Sequence, residues 1–317
     1  MSERSRRFRQ LLEAPEPLHM PGGFSPLHAK LAQLAGYNGF FMAGSQTALY
    51  LYGLPDVGFL GLRDMVDNAR RLASGCDIPI FSDGDTGYGN AVSVYYTVQE
   101  FIRAGVAAMS IEDQEAPKKS GTQAGRRCIS VEEAIGKLQA AVAAKKDLDP
   151  DFMICGRCDV IGAEGGTYEE ALERSIRYVK EGGADFIWLN NVLSPEQARE
   201  ACEKIPAPVI PHYGGEPPPP NAEQWRDIGA AGVLYPAMTT SIGLQAVWEF
   251  LNDFKERGQV AQEEWAARNR QSKWGSASRQ NGLALSLDLI RQLEDQYLPK
   301  DLQRDYEHTF GHRTFMP

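Results

Sequence analysis

The sequence is poor in cysteine, in cationic excess and in long apolar runs. Its five cysteines among 317 residues are odd in number and scattered. That usage suits a reducing cytosol rather than a disulfide-stapled secreted domain. Lysine and arginine total 33 against 42 acidic residues, for a formal charge of −9. The balance argues against non-specific binding to nucleic acid or to anionic membrane. No apolar run approaches the roughly 18–20 residues that span a bilayer. The opening MSERSRRFRQLLEAPE carries arginines but no apolar core of a signal peptide, and Glu3, Glu13 and Glu16 count against a transit peptide. A short first helix and a cytoplasmic protein are expected.

What is present is a recurring pattern. Short apolar runs at 18–21, 39–43, 79–82, 107–111, 152–156, 185–189, 207–211 and 232–235 are each followed by a stretch with helical periodicity, with Ser25 placed to cap one of them. Continuously apolar strands alternating with helices predict a parallel sheet covered on both faces. Eight such units are the number that closes into a (β/α)8 barrel of the TIM type, with a doubly wound open sheet as the alternative. The barrel is assigned to residues 1–258. Residues 259–317, with helical stretches and the polar, aromatic end YEHTFGHRTFMP, are assigned to a C-terminal helical extension packing on the barrel or on another subunit. Between the second strand and its helix, 44–59 is expected to be a loop. The segment 114–130 is expected to stay out of the core, being too polar and Gly-rich.

Polar residues gather after the strands, where barrel enzymes keep their sites: Gly44 and Ser45, Asp83 and Asp85, Glu112, Arg157 and Asp159, Asn190, and His212. In FSDGDTGYG, Asp83 and Asp85 stand two positions apart at a strand end, on one side of the strand. Two adjacent carboxylates call for a cation, and Mg²⁺ or Mn²⁺ takes oxygen ligands of this kind. An Asx-turn is the alternative reading of the same residues.

The ordered set DGDTGYG at 83–89, IEDQ with PKKSG at 111–121, and GRCD at 156–159, together with GLPDVG at 53–58, resembles the isocitrate lyase/phosphoenolpyruvate mutase superfamily over roughly 7–258. The resemblance implies a (β/α)8 barrel whose last helix is swapped between subunits, giving homodimers or homotetramers. It also implies a Mg²⁺ (or Mn²⁺) site that binds a small 2-oxo or 2-hydroxy diacid and chemistry through an enolate. By the same resemblance Asp85 is the acid nearest the metal, with Asp83 and Glu112 acting through water. Arg157 faces the substrate, with Asp159 as a candidate partner. Ala43, Gly44, Ser45 and Gln46 form the loop whose amides hold a carboxylate, and Asp56 faces the metal's water shell. Residues 117–122 occupy the place of a mobile gating loop that contributes Lys118 and Ser120.

Three positions depart from the lyases of this family. The loop pattern K-[KR]-C-G-H reads Lys118, Lys119, Ser120, Gly121, Thr122 here. A thiol near pKa 8.5 exchanges protons about neutrality, whereas an aliphatic hydroxyl is a far weaker acid. The tyrosine at the end of strand two is Phe41, and the glutamate of strand six is Asn190. Neither isocitrate nor methylisocitrate lyase is therefore expected. The segment GYGN and Tyr213-Gly214 are closer to the oxaloacetate decarboxylase and phosphonopyruvate-processing branches, with Ser120, Tyr213, His212, Tyr88 or water as candidate proton carriers. The expected function is a Mg²⁺-dependent carbon–carbon lyase, by retro-aldol/Claisen cleavage or decarboxylation. Phosphonopyruvate P–C chemistry and a non-catalytic diacid-binding barrel are the alternatives. The CxxC at 155–158 is read as structural, because three-residue spacing on a strand points its cysteines to opposite faces. Trp188 and Trp225 are read as packing, and 217–220 as a stiff loop.

Overall fold

A computed structural model describes residues 3–275, 277–284, 287–306 and 308–309. Eight strands carry the expected alternation: β1 Leu18–Gly23, β2 Phe40–Met42, β3 Ile80–Ser82, β4 Ala108–Glu112, β5 Met153–Cys158, β6 Phe186–Val192, β7 Val209–Tyr213 and β8 Gly232–Tyr235. They pair in parallel in the order β7-β6-β5-β4-β3-β2-β1-β8. Across the remaining seam, between β7 and β8, Ala231 N–H donates to Val209 C=O at 2.8 Å. The result is a nearly closed (β/α)8 barrel.

The helices of the barrel unit are α1 Glu3–Leu12, α2 Pro26–Leu34, α3 Gly44–Thr47, α4 Leu62–Gly75, α5 Ala91–Ala104, α6 Val131–Leu148, α7 Tyr168–Lys180, α8 Pro195–Lys204 and α9 Ala222–Ile228. Ser25 caps α2 as its sequence position predicts, accepting from the N–H groups of Leu27 and His28, and Asn90 caps α5 through Val92 N–H. Residues 44–59 are not a plain loop: α3 runs directly into a π-helical turn, Ala48–Tyr52, which ends at Gly53 in the left-handed region, φ 65°.

Alternation along the strands sorts the apolar residues into two clusters. Outward-facing side chains such as Phe40, Ile80, Met109, Ile154, Ile187 and Val209 pack under the helices. Inward-facing Phe41, Phe81, Met153, Cys155, Phe186, Trp188 and Ile210 fill the barrel. The first helix closes this interior from below: Phe8 and Leu12, one turn apart on one face, join the inner cluster, with the Phe8 ring 6.0 Å from Phe81 and 5.9 Å from Phe186. The CxxC divides as expected, Cys155 inside and Cys158 outside, and all five cysteines are free.

The first compact unit is Met1–Thr240 and the second is Ser241–Pro317. The helix after β8, α10 Met238–Arg257, therefore runs mostly in the second unit, ahead of the boundary expected at 258. The second unit adds α11 Gln259–Asn269, α12 Ala277–Ala284 and α13 Leu287–Tyr297. Phe250 packs on Phe254 and Trp265, and Arg257 pairs with Asp253 at 2.6 Å and Glu264 at 2.9 Å. Ile242, Leu244, Val247, Trp248 and Leu251 of α10 are exposed. Most of the aromatic end assigned to the extension, 307 and 310–317, lies outside the described residues. Among the described residues no helix is long and apolar enough to cross a membrane.

Candidate active site

Two residues beyond the apolar filling, four of the strands turn polar. On β3 the inward Phe81 is followed by Asp83, on β5 Cys155 by Arg157, on β6 Trp188 by Asn190, and on β7 Ile210 by His212. This rim holds Asp83, Asp85, Glu112, Arg157, Asp159 and Asn190, none more than 7% exposed. Asp85 lies past the strand with φ 45°, a left-handed conformation that Asp tolerates better than most side chains.

Arg157 organises the rim. Glu112 and Arg157 are register partners on β4 and β5. Arg157 Nη1 lies 3.0 Å from Glu112 Oε2 and 3.8 Å from Asp83 Oδ1, and its Nε lies 3.0 Å from Asp159 Oδ2. Nη2 donates to Asp159 Oδ1 at 3.3 Å, so Asp159 is its partner as expected. The guanidinium sits 4.2 Å from the centroid of the Trp188 ring. Trp188 is thus more than packing: its face receives the charge in a cation–π contact.

The segment 117–127 is docked on this rim. Contrary to the expectation from its polarity, Gln114, Lys118 and Arg126 are buried. They are buried because each polar end meets a partner. Lys118 Nζ reaches Asp85 at 3.0 Å and Asp56 at 2.5 Å. Asp56 therefore meets the lid's ammonium. Gly121 C=O accepts from Asn190 Nδ2 and Asn191 Nδ2, each at 3.2 Å, and from Arg126 Nη1. Gln114 brackets the Lys119 peptide, taking its N–H at 2.9 Å and donating to its C=O at 3.0 Å.

Burial and proximity shift these charges in opposite directions. Burial pushes Asp85 up to about 6, with Lys118 pulling the other way. Burial also holds Glu112 well above the usual carboxylate range, against the attraction of Arg157. For Asp159 burial acts upward too, but Arg157 and the Gln114 hydrogen bond outweigh it and hold it low. Burial disfavours the Lys118 ammonium, yet Asp85, Glu112 and Asp83 raise it well above an ordinary lysine.

The donor set suits a hard divalent cation. It consists of buried carboxylates only, and Asp85 Oδ1 and both Glu112 oxygens meet no donor in hydrogen-bond geometry. Lys118 at Asp85 and Arg157 at Glu112 supply positive charge by proximity. Among the described residues no three acids converge as ligands of one ion.

The remaining candidates divide. Gly44 N–H donates to Asp83 Oδ2 at 3.3 Å, and a Cβ at Gly44 would lie 3.0 Å from that oxygen, so a larger residue would have to displace the Asp83 carboxylate by a few tenths of an ångström. Ala43 is buried behind it. Ser45 and Gln46 form the first turn of α3, whose N–H groups have no acceptor within the helix, and the Gln46 side chain accepts from Thr240 Oγ1 at 2.6 Å. Ser120 is half-buried, with its hydroxyl 3.3 Å from Thr122 Oγ1. On β7 only one of two adjacent candidates faces inward. His212 lies beside Trp188, ring centroids 6.0 Å apart, and is lowered to about 4 by burial and then by Arg157. Tyr213 packs with the outer cluster against Trp225, and its hydroxyl donates to Glu216 C=O at 2.9 Å. The structure does not bring Tyr213 to the rim. Phe41 lies in the aromatic filling, 5.1 Å from Phe81 and 5.3 Å from Trp188. Gln114 belongs to the IEDQ motif and Arg126 to the basic flank of the loop, but their buried partners, and any role for Asn191, are not legible, because nothing local in the sequence marks an amide or guanidinium whose partner lies elsewhere.

Comparison with known proteins places this site in context. A family model described as Phosphoenolpyruvate phosphomutase matches residues 8–254. The chain is 36% identical to the 2,3-dimethylmalate lyase of Eubacterium barkeri over 244 residues, 76% of this chain and 82% of that enzyme. It is 32% identical to the 2-methylisocitrate lyase of Shewanella oneidensis over 257 residues, 79% and 86% of the two chains. Among solved structures, oxaloacetate acetylhydrolase with the inhibitor 3,3-difluorooxalacetate superposes with a TM-score of 0.82 at 29% identity, covering 92% of this chain and 96% of that one. Phosphonopyruvate hydrolase, solved with oxalate and Mg²⁺, gives 0.78 at 26% identity, covering 94% and 100%.

Proposed function

The chain belongs to the phosphoenolpyruvate mutase/isocitrate lyase superfamily, and from that membership we propose that it is a Mg²⁺-dependent carbon–carbon lyase acting on a small 2-hydroxy or 2-oxo diacid. The observation that carries this reading is the buried Arg157 fork, 3.0 Å from Glu112 and flanked by Asp83 and by the docked Lys118 and Asp85 pair. A planar, permanently charged guanidinium held in a water-poor rim is suited to a carboxylate or to a developing enolate oxyanion. The N–H groups of Ser45 and Gln46, at the start of α3, are available to the substrate's carboxylate. Asp83, Asp85 and Glu112 would hold the Mg²⁺ or Mn²⁺, which when bound supplies Lewis-acid polarisation of the α-oxygen and a template for the diacid.

Proton traffic is the point at which this chain leaves the thiol-bearing lyases. Lys118 Nζ keeps its proton at neutral pH among Asp85, Glu112 and Asp83, and closes the site as a cation. Ser120 Oγ is turned to Thr122, and His212, neutral at pH 7, faces the interior. Loss of CO₂ from a 2-oxo diacid needs no base to start it, so decarboxylation is open to this rim as it stands, whereas retro-aldol/Claisen cleavage also needs a base for the hydroxyl or water that starts it. The departures at Phe41, Ser120 and Asn190 argue against ordinary isocitrate or methylisocitrate cleavage. The likeness to phosphonopyruvate hydrolase supports P–C chemistry as the second reading.

The test is NMR monitoring of oxaloacetate, several 2-alkylmalates and phosphonopyruvate with Mg²⁺, for the wild type and for Asp85→Ala. Turnover of a diacid that disappears in the variant is the expected result. Binding of the same acids by the wild type without turnover of any would show a binding barrel instead.

The exposed apolar face of α10 supports exchange of this helix with a second copy, in a homodimer or homotetramer. Trp248→Arg with Leu251→Arg is expected to lower the molar mass seen by light scattering. An unchanged mass would rule that face out as the interface.

A further inference from the structure

Two buried carboxamides join the docked loop to the arginine, and their geometry is not symmetrical decoration of the rim. The Gln114 NH₂ group splits its two hydrogens between Lys119 C=O and Asp159 Oδ2, each at 3.0 Å. The Asn190 NH₂ group splits its own between Gly121 C=O at 3.2 Å and Asp159 Oδ1 at 2.6 Å. Each Asp159 oxygen therefore accepts one amide from the loop side; Oδ1 also accepts from Arg157 Nη2 at 3.3 Å, while Oδ2 lies at ion-pair distance, 3.0 Å, from Arg157 Nε, which is outside hydrogen-bond geometry. A Cβ at Gly121 would fall 2.7 Å from both Arg157 Nη2 and Asn190 Nδ2, so the loop's main chain rests on the same two groups.

We propose that Gln114 and Asn190 are positioning residues that tie the docked 118–121 segment to the Asp159–Arg157 pair, so that Arg157 holds its working orientation only while the segment is down. When the segment lifts, each amide loses one of its two acceptors in a buried place and must turn to find another. Either turn withdraws a donor from Asp159 and frees the carboxylate that fixes the guanidinium. Only a neutral amide fits this role. A carboxylate at 114 or 190 would bring no N–H to the loop carbonyl and would face the charge of Asp159.

Such coupling is reciprocal, so it is read from both ends. Gln114→Glu and Asn190→Asp keep the side-chain shape and remove the donors. Asp159→Asn perturbs the far end without touching the loop. Hydrogen exchange at the amides of 118–123 is measured on the ligand-free protein, and kcat and KM on whichever diacid the wild type turns over. The acid variants are expected to speed loop exchange at least tenfold and to lower kcat at least 30-fold, with KM within threefold. Asp159→Asn is expected to speed loop exchange by a similar factor. Gln114→Ala and Asn190→Ala provide the same readout should an acid variant fail to fold, judged by its melting curve. Loop exchange unchanged in Asp159→Asn overturns the proposal, as does faster exchange with unchanged kcat in the amide variants. The kinetic arm rests on the lyase reading, but the exchange arm does not. Coupled exchange in a wild type that turns over no diacid would uphold the coupling and sink the lyase.

Discussion

The inside of this barrel has two regions, about two residues apart along the strands that carry its charges, and they obey different rules. The lower region is a dry aromatic filling of Phe8, Phe41, Phe81, Phe186 and Trp188. The upper region is as deeply buried but holds Asp83, Asp85, Glu112, Arg157, Asp159 and Lys118. In the lower region, apart from Trp188 with its face against Arg157, any apolar side chain of the right volume serves, and a loss is felt as a cavity. In the upper region each charge is tolerable only because a specific partner meets it, and removing one strands another. The filling should set stability and the rim should set chemistry, and variants in each region put that division to the test.

Phe81→Ala is expected to have the largest effect on folding, about 3–5 kcal/mol, the range for truncating a buried phenylalanine, read by urea unfolding. The kcat of the remaining folded protein should stay within tenfold; a larger drop would mean that the two regions are mechanically one. Arg157→Lys keeps the charge and loses the fork. It should lower kcat by about 10²–10³, the size of a lost oxyanion donor, with a melting temperature close to wild type. Phe41→Tyr would place a hydroxyl among Phe81 and Trp188. If the hydroxyl finds no partner there, it should cost about 1–3 kcal/mol of stability. No loss would show that the floor is wetter at that point than its packing suggests.

The smallest effect is a difference in pH dependence. His212 is lowered to about 4 in the folded protein, against about 6.5 when unfolded. Between these values the unfolded chain binds the proton and the folded one does not. His212 therefore contributes stability that is present above about pH 6.5 and lost as pH falls. His212→Asn removes that loss, so between pH 7 and 5.5 the variant should lose roughly 1 kcal/mol less stability than the wild type. Thermal melts at both pH values, made without divalent metal, check this. Parallel slopes would mean that His212 titrates alike in the folded and unfolded chain.

Much of this division was legible before the structure. The eight strands follow from short apolar runs alternating with period-3.6 stretches, the Ser25 cap from its residue type and place, and the rim from the polar residues after the strands. Alternation also held information that a motif-level reading passed over. His212 and Tyr213 are neighbours on one strand, so only one could face the site, and the structure turns Tyr213 outward onto Trp225. Trp188 shares its strand face with Asn190, yet its contact with Arg157 depends on how β5 and β6 lie side by side. The polarity of 114–130 suggested exposure, because composition reports the cost of burial but not the partners that remove it.

The sequence by itself determined the barrel and the identity of the charges at its rim, since strand period and residue type are local properties of the chain. The tertiary structure decided which charges meet. Lys118 reaches Asp56 across 62 positions, Asn190 reaches Gly121 across 69, and Asp159 collects Gln114, Arg157 and Asn190 from three different strand ends. A buried ion is stable only in the company of its partners, and that company is assembled by closing the sheet, which no local pattern encodes.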